Sequence, residues 1–150
     1  MKLVTLLLFP WVIATATATS LTLADSPGWQ ALSDEQTAPI RKNFALAMRD
    51  FSVNAESGAS ALFLELPVPK GSGGTLQHQR VNVVAGAKSS VIKNGYTATT
   101  EGETPFGPLP GAFVVFTSPN PEERPHILML MGFSRDKLYS ATFYSKENPA

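Results

Sequence analysis

Two apolar runs near the end of the chain decide the fold: ILMLMGF at residues 127–133 and LYSATFYS at residues 138–145. Residues two apart in an extended strand share a face, so Met129 and Met131 lie on the same side of the first run. The intervening SRDK, residues 134–137, is short, polar and suited to a turn. The stretch therefore predicts an antiparallel β-hairpin, the clearest element in the sequence.

Further strands are predicted upstream of this hairpin. Ala112 to Thr117 follows a segment with too many prolines and glycines for a regular element. Because Phe113 to Phe116 are apolar on both faces, this segment is typical of a central strand covered on each side. The other predicted strands are Ala61 to Leu66, Gln79 to Val84 and Tyr96 to Thr100, with the first two joined as a hairpin across a glycine-rich loop.

One long helix is predicted from Glu35 to Phe51. Ser33 and Asp34 are suitable N-caps, and apolar residues then recur at helical spacing. A short second helix fits Ala87 to Asn94. The predicted fold is α+β: an antiparallel sheet of five to six strands covered by the long amphipathic helix. Its apolar stripe consists of Ile40, Phe44, Ala47, Met48 and Phe51.

The first 24 residues are typical of a secretory signal peptide. Lys2 supplies a positive start, an apolar run of about eleven residues follows, and small residues precede Ala24. A membrane-spanning helix needs about 20 apolar residues, so this run is too short. We expect cleavage after Ala24, with Ala18 as the alternative. Cleavage after Ala24 leaves one globular domain at residues 25–150, periplasmic or secreted, without stable membrane insertion.

Composition excludes several function classes. The chain has 150 residues and no cysteine, which removes disulfides, thiolate metal sites and thiol nucleophiles. The absence of cysteine from an exported protein favours a protein of the bacterial envelope over a secreted domain held together by disulfides. The 12 basic and 12 acidic residues balance, and no basic stripe is present. Nucleic acid is therefore not expected as a partner.

A metal site is one alternative. His126, Met129 and Met131 offer imidazole and thioether ligands, which suit Cu(I). Strand alternation argues against the site, because Met129 and Met131 share a face and His126 points to the other one unless a bulge intervenes. Methionine is also a common filler of gaps in cores.

No catalytic constellation is predicted. His78 and His126 lie far apart in the sequence, and neither has a local carboxylate partner. Glu101 and Glu103 share a face of an extended segment, but a solvated acidic edge explains them better than acid–base work or calcium binding. Other fragments, such as the Ser-x-x-Lys spacing of Ser90 and Lys93, lack their companion motifs. No cofactor is predicted.

Two loops rich in proline and glycine are the unusual surfaces. They span Pro67 to Thr75 and Thr104 to Gly111. Loops held on a rigid scaffold commonly carry binding residues. The predicted partner-binding residues are Phe106, Pro108, Leu109, Pro110, Pro67 and Pro69.

The order of several short motifs resembles the PsbP-like superfamily of small exported α/β domains. These motifs are Pro27-Gly28-Trp29, the GPLPGA run from Gly107 that leads into a strand, and LYSATF from Leu138 in a later strand. The resemblance covers roughly Pro27 to Tyr144. It implies an antiparallel sheet with helical cover, an accessory or binding role without catalysis, and no catalytic residue to transfer.

These observations favour an exported, non-enzymatic binding or accessory protein of the bacterial cell envelope that contacts a protein partner. One alternative is a periplasmic carrier of a metal or small molecule, with His126, Met129 and Met131 as ligands. Another is an inhibitor or immunity-type protein that blocks an envelope enzyme, because such a protein would share the prominent loops and the lack of catalytic residues.

Overall fold

The computed structural model describes residues 27–44, 48–67, 76–135 and 137–148. Within these residues the chain forms seven strands and two helices. In chain order they are β1 (Trp29–Ala31), α1 (Asp34–Phe44), β2 (Met48–Asn54), β3 (Ser60–Pro67), α2 (Leu76–Lys93), β4 (Thr97–Glu103), β5 (Gly111–Thr117), β6 (His126–Phe133) and β7 (Lys137–Ser145).

All seven strands form one antiparallel sheet in the order β1-β2-β3-β7-β6-β5-β4. The predicted α+β fold, with five to six strands under one long helix, is therefore wrong, because the protein is mostly sheet. Strands β3, β5, β6 and β7 confirm the strands predicted for those segments. The β6–β7 hairpin closes as predicted, since the Ser134 amide donates to the Lys137 carbonyl over 3.0 Å.

The predicted long helix ends seven residues early. Helix α1 begins with a capping box, in which the Ser33 amide donates to Gln36 Oε1 and the Gln36 amide donates to Ser33 Oγ. It ends at Phe44, and Phe51 lies in β2 opposite Leu62. Tertiary pairing overrides the helical stripe here, because β2 gains ladders with both β1 and β3.

The strand predicted from Gln79 to Val84 is wrong as well, because these residues lie in α2. Alternating valines at 81 and 83 suggested a strand, but Val84, Ala87 and Val91 continue the pattern at helical spacing and pack on the sheet. The short helix predicted at Ala87 to Asn94 is the second half of this 18-residue helix. Helix α2 ends at Lys93, and Gly95, two residues further on, takes a φ of 89°.

The sheet carries a hydrophobic cluster on each face. Direct pairing places Phe63, Ala141 and Leu130 on one face, where Phe106 and Tyr139 join them. The other face carries Val114, Phe116, Ile127 and Met131, and α2 packs against it. β5 is therefore covered on both faces, which agrees with its apolar sequence.

Several sequence predictions lie outside the described residues. These include the signal peptide at residues 1–24, Pro69 and the glycine-rich loop. His78 lies in α2. Among the helices that the structure describes, none combines the length and hydrophobicity needed to cross a bilayer.

Tyr144 makes stability sensitive to alkaline pH. Burial raises the pKa of its hydroxyl above the ordinary value, and Tyr96 adds to the shift. The folded state thus holds this proton more tightly than the unfolded chain. The contribution of Tyr144 to the free energy of unfolding is therefore complete below about pH 10 and is lost as the pH rises further. We expect Tyr144→Phe to make the alkaline fall in unfolding free energy shallower, as measured by urea denaturation. Equal slopes for both proteins would contradict this.

Candidate functional site

The segment Thr104–Pro110, which we call the proline loop, is a tight hairpin turn. The Phe106 amide donates to the Leu109 carbonyl over 2.9 Å, and the Leu109 amide donates back to the Phe106 carbonyl over 3.1 Å. Gly107, at the first central position, has a φ of 58° and is followed by Pro108. Glycine with positive φ at this position is typical of a type II′ turn.

Phe106 anchors the proline loop in the core. Its side chain is only 2% exposed. The rings of Phe106, Phe63 and Tyr139 form a triangle of stacked aromatics, with ring centroids 6.4 Å apart in all three pairs. Buried aromatic stacking of this kind adds to the hydrophobic gain of burying the ring. Phe106, which the sequence suggested as a partner contact, thus lies inside the protein and holds the loop from below.

Two glycines make room for this anchor. A Cβ atom on Gly132 would lie 2.6 Å from Phe106 Cδ1 and 2.8 Å from Phe106 Cβ. A Cβ atom on Gly111 would lie 2.5 Å from the Met131 carbonyl oxygen. Glycine within a strand commonly marks such a close approach. The ring of Phe106 therefore rests directly on the backbone of β6.

The base of the proline loop is tied to the sheet by two more backbone hydrogen bonds. The Thr104 amide donates to the Gly111 carbonyl over 3.1 Å, and the Phe133 amide donates to the Pro110 carbonyl over 3.0 Å. In contrast to this fixed base, Pro105, Pro108 and Pro110 are exposed. The loop thus presents three conformationally restricted residues to solvent.

An open groove of about 440 Å³, the loop groove, runs beside the proline loop. Its lining consists of the loop itself together with Arg80, Glu103 and Gly111. Small-molecule sites usually enclose most of their ligand, whereas this groove is open to solvent. Its shape suits a peptide segment or a protein surface better than an enclosed small molecule.

Arg80 supplies the charge in the loop groove, and three contacts fix its position. Its Nη2 lies 3.0 Å from Glu103 Oε1 and donates to the Gly111 carbonyl over 3.3 Å. Its guanidinium carbon lies 5.6 Å from the centroid of the Phe133 ring, as in a cation–π contact. Sequence reasoning missed Arg80, because it placed this residue in a strand. The helical spacing of Val84, Ala87 and Val91 was the sequence signal that would have placed Arg80 on a helix.

The second predicted loop is only partly described. Pro67 is exposed at the end of β3, where it pairs with Lys137. This end of β3 lies at the same end of the sheet as the proline loop, with β7 and β6 between them. Pro67 therefore does not line the loop groove.

The three candidate metal ligands are not brought together. His126 pairs with Ser145, whereas Met129 pairs with Thr142 and Met131 with Ser140, so the imidazole and the thioethers lie on opposite faces of β6. His126 Nδ1 accepts a 3.0 Å hydrogen bond from the Ser118 amide. Throughout the described ranges, no three His, Asp or Glu residues cluster as a metal site would require.

The candidate carboxylates are engaged separately. Glu101 Oε2 lies 2.5 Å from Lys88 Nζ, and Glu103 pairs with Arg80. Ser90 and Lys93 lie on the exposed surface of α2. These groups occupy structural ion pairs or solvated positions, and their geometry assembles no nucleophile with a base.

No family model matches the chain, and no curated protein matches it at a significant level.

Proposed function

We propose that this chain is an exported, non-enzymatic binding or accessory protein of the bacterial cell envelope, acting through protein–protein contacts at the proline loop. The observation that carries the proposal is the anchored loop itself. Phe106 is buried and stacked, while Pro105, Pro108 and Pro110 stand exposed beside an open groove. A large buried aromatic side chain and two glycines hold this loop in one conformation.

A loop held in this way lowers the entropic cost of binding, because little conformational freedom remains to be lost. Proline also lacks a backbone N–H, so a partner that covers these residues has fewer donors to satisfy. Leu109, partly buried beside the prolines, adds apolar surface. The loop is thus suited to an apolar contact with a polar rim formed by Arg80 and Glu103.

The positions of the reactive groups support a non-enzymatic role in this proposal. Glu101 and Glu103 each pair with a different cation, and His126 Nδ1 is held by a backbone amide. Export rests on the sequence of residues 1–24, and the accessory role also draws on the resemblance to the PsbP-like superfamily. An inhibitor of an envelope enzyme would use the same surface and is one form of this proposal.

Site-specific photo-crosslinking in the cells that produce the protein tests the proposal. A photoreactive amino acid replaces Pro108, with Glu56 as the matched control in the exposed β2–β3 turn. We expect one protein partner to be captured from position 108 and not from position 56. Equal capture from both positions, or no capture from position 108, would contradict the proposal.

A further inference from the structure

Helix α2 carries an apolar row on the side that faces the edge of the sheet. Three apolar residues and one lysine, spaced by four, three and four residues, form the row: Val81, Ala85, Lys88 and Ile92. We call it the α2 seam. Val81 is 58% exposed and Ile92 is 46% exposed, and they are the only large hydrophobic residues with such exposure in the described part of the chain. Spacing of this kind is typical of a helix that packs along another helix.

The α2 seam lies directly above strand β4. Val81, Ala85 and Lys88 line a second groove, of about 300 Å³, together with Glu101 and Glu103 of β4. Ile92 continues the row one turn beyond Lys88. The exposed apolar row and the last strand of the sheet therefore belong to the same side of the molecule.

Strand β4 is an edge strand of the sheet that the described residues form. It is hydrogen-bonded to β5 on one side and ends the sheet order. Its ladder with β5 is regular from Thr100 to Glu103, after a bulge at Ala98 and Thr100. The sequence TATTEGE has neither lysine nor proline, and the two charged side chains that it carries, Glu101 and Glu103, are each paired with a cation of α2.

We propose that two copies of this chain associate through β4 and the α2 seam, related by a two-fold axis. Antiparallel pairing of the two β4 edges would extend the sheet and place the two α2 helices side by side in opposite directions. In that arrangement Val81 of one copy meets Ile92 of the other, and the reverse contact forms at the opposite end. A two-fold interface must be self-complementary in this manner.

Charge and size both favour a second copy as the occupant. The one charged member of the α2 seam, Lys88, is neutralised by Glu101 of its own chain, so two seams do not repel each other. The 18-residue helix is about 27 Å long. A contact of this length that spans both the helix layer and the sheet layer covers roughly 500 Å² in projection. This is below the ~800 Å² of accessible surface per partner in stable complexes, which fits a dimer that dissociates on dilution.

The oligomeric state tests this proposal. We expect light scattering of the purified protein to show a concentration-dependent dimer. Val81→Asp and Ile92→Asp should each raise the dimer dissociation constant about tenfold or more. Asn82→Asp is the matched control, because it adds the same charge to the neighbouring exposed position off the seam, and it should leave the dimer intact. A monomer at all concentrations, or a dimer that persists in both seam variants, would overturn the proposal.

Crosslinking tests the orientation. The chain has no cysteine, so introduced thiols are unique. A double variant, Val81→Cys with Ile92→Cys, should oxidise to a covalent dimer, while each single variant should stay largely uncrosslinked because like positions lie far apart. Covalent dimers that form equally well from either single variant, or no covalent dimer from the double variant, would overturn the antiparallel arrangement. Neither experiment depends on the proline loop, so this proposal and the proposed function stand or fall separately.

Discussion

Replacing Phe106 with alanine is expected to lower the free energy of unfolding by about 3–5 kcal/mol. The ring is 2% exposed and stacks on Phe63 and Tyr139, so its removal leaves a cavity in the centre of one face of the sheet. The surrounding strands pair on both sides and collapse only partly into such a space. Urea denaturation followed by circular dichroism measures the loss.

Pro108→Ala in the same loop is the control for Phe106→Ala. Pro108 is exposed at the tip of the turn, so its replacement should cost less than about 1 kcal/mol. If the two variants lose the same stability, Phe106 does not anchor the loop. Phe106→Ala should also weaken crosslinking from position 108, because the loop then samples more conformations.

Gly132→Ala is expected to destabilise the protein by about 1–3 kcal/mol through overpacking. The new Cβ would lie 2.6 Å from Phe106 Cδ1 and 2.7 Å from Cγ, closer than carbon atoms approach without rearrangement. The ring cannot move away freely, because Phe63 and Tyr139 stack on it. Denaturation midpoints of the wild type and the variant give the difference.

A glycine with open surroundings provides the opposite result. Nothing lies within 4 Å of a Cβ atom placed on Gly86, in the middle of α2. Gly86→Ala should therefore stabilise the protein by about 0.5–1 kcal/mol through helix propensity.

In a double-mutant cycle, Gly132→Ala should cost less when Phe106 is already alanine, because the clash with the ring is gone. Full additivity would contradict direct contact.

The strands that were predicted correctly have local sequence patterns that fit a strand and no other element. The β6–β7 hairpin combines two apolar runs with a polar turn, and β5 is apolar throughout. Local pattern and tertiary burial agree at these positions, so sequence reasoning succeeds.

The two misassigned segments carry ambiguous patterns. Ile40 to Phe51 fits a helical stripe, but its second half pairs with β3, and this long-range pairing cannot be read from local spacing. Gln79 to Val84 alternates like a strand over six residues, and only the continuation through Val91 shows the helical period.

The candidate site was predictable only in outline. The proline and glycine content of residues 104–111 indicated an irregular loop, and the prolines are exposed as such loops usually are. Composition does not say which residue of a loop turns inward, so the anchoring role of Phe106 could not be derived. Gly132, within an otherwise apolar strand, was the one trace of that anchor in the sequence.

Amide hydrogen exchange measures whether Phe106 holds the proline loop in one preformed conformation. The Phe106 and Leu109 amides donate to each other's carbonyls and should exchange slowly in the native protein. We expect this protection to disappear in Phe106→Ala while the amides of the β6–β7 hairpin stay protected. If the two amides exchange in the wild type at the rate of an unstructured peptide, the proline loop is not a preformed surface.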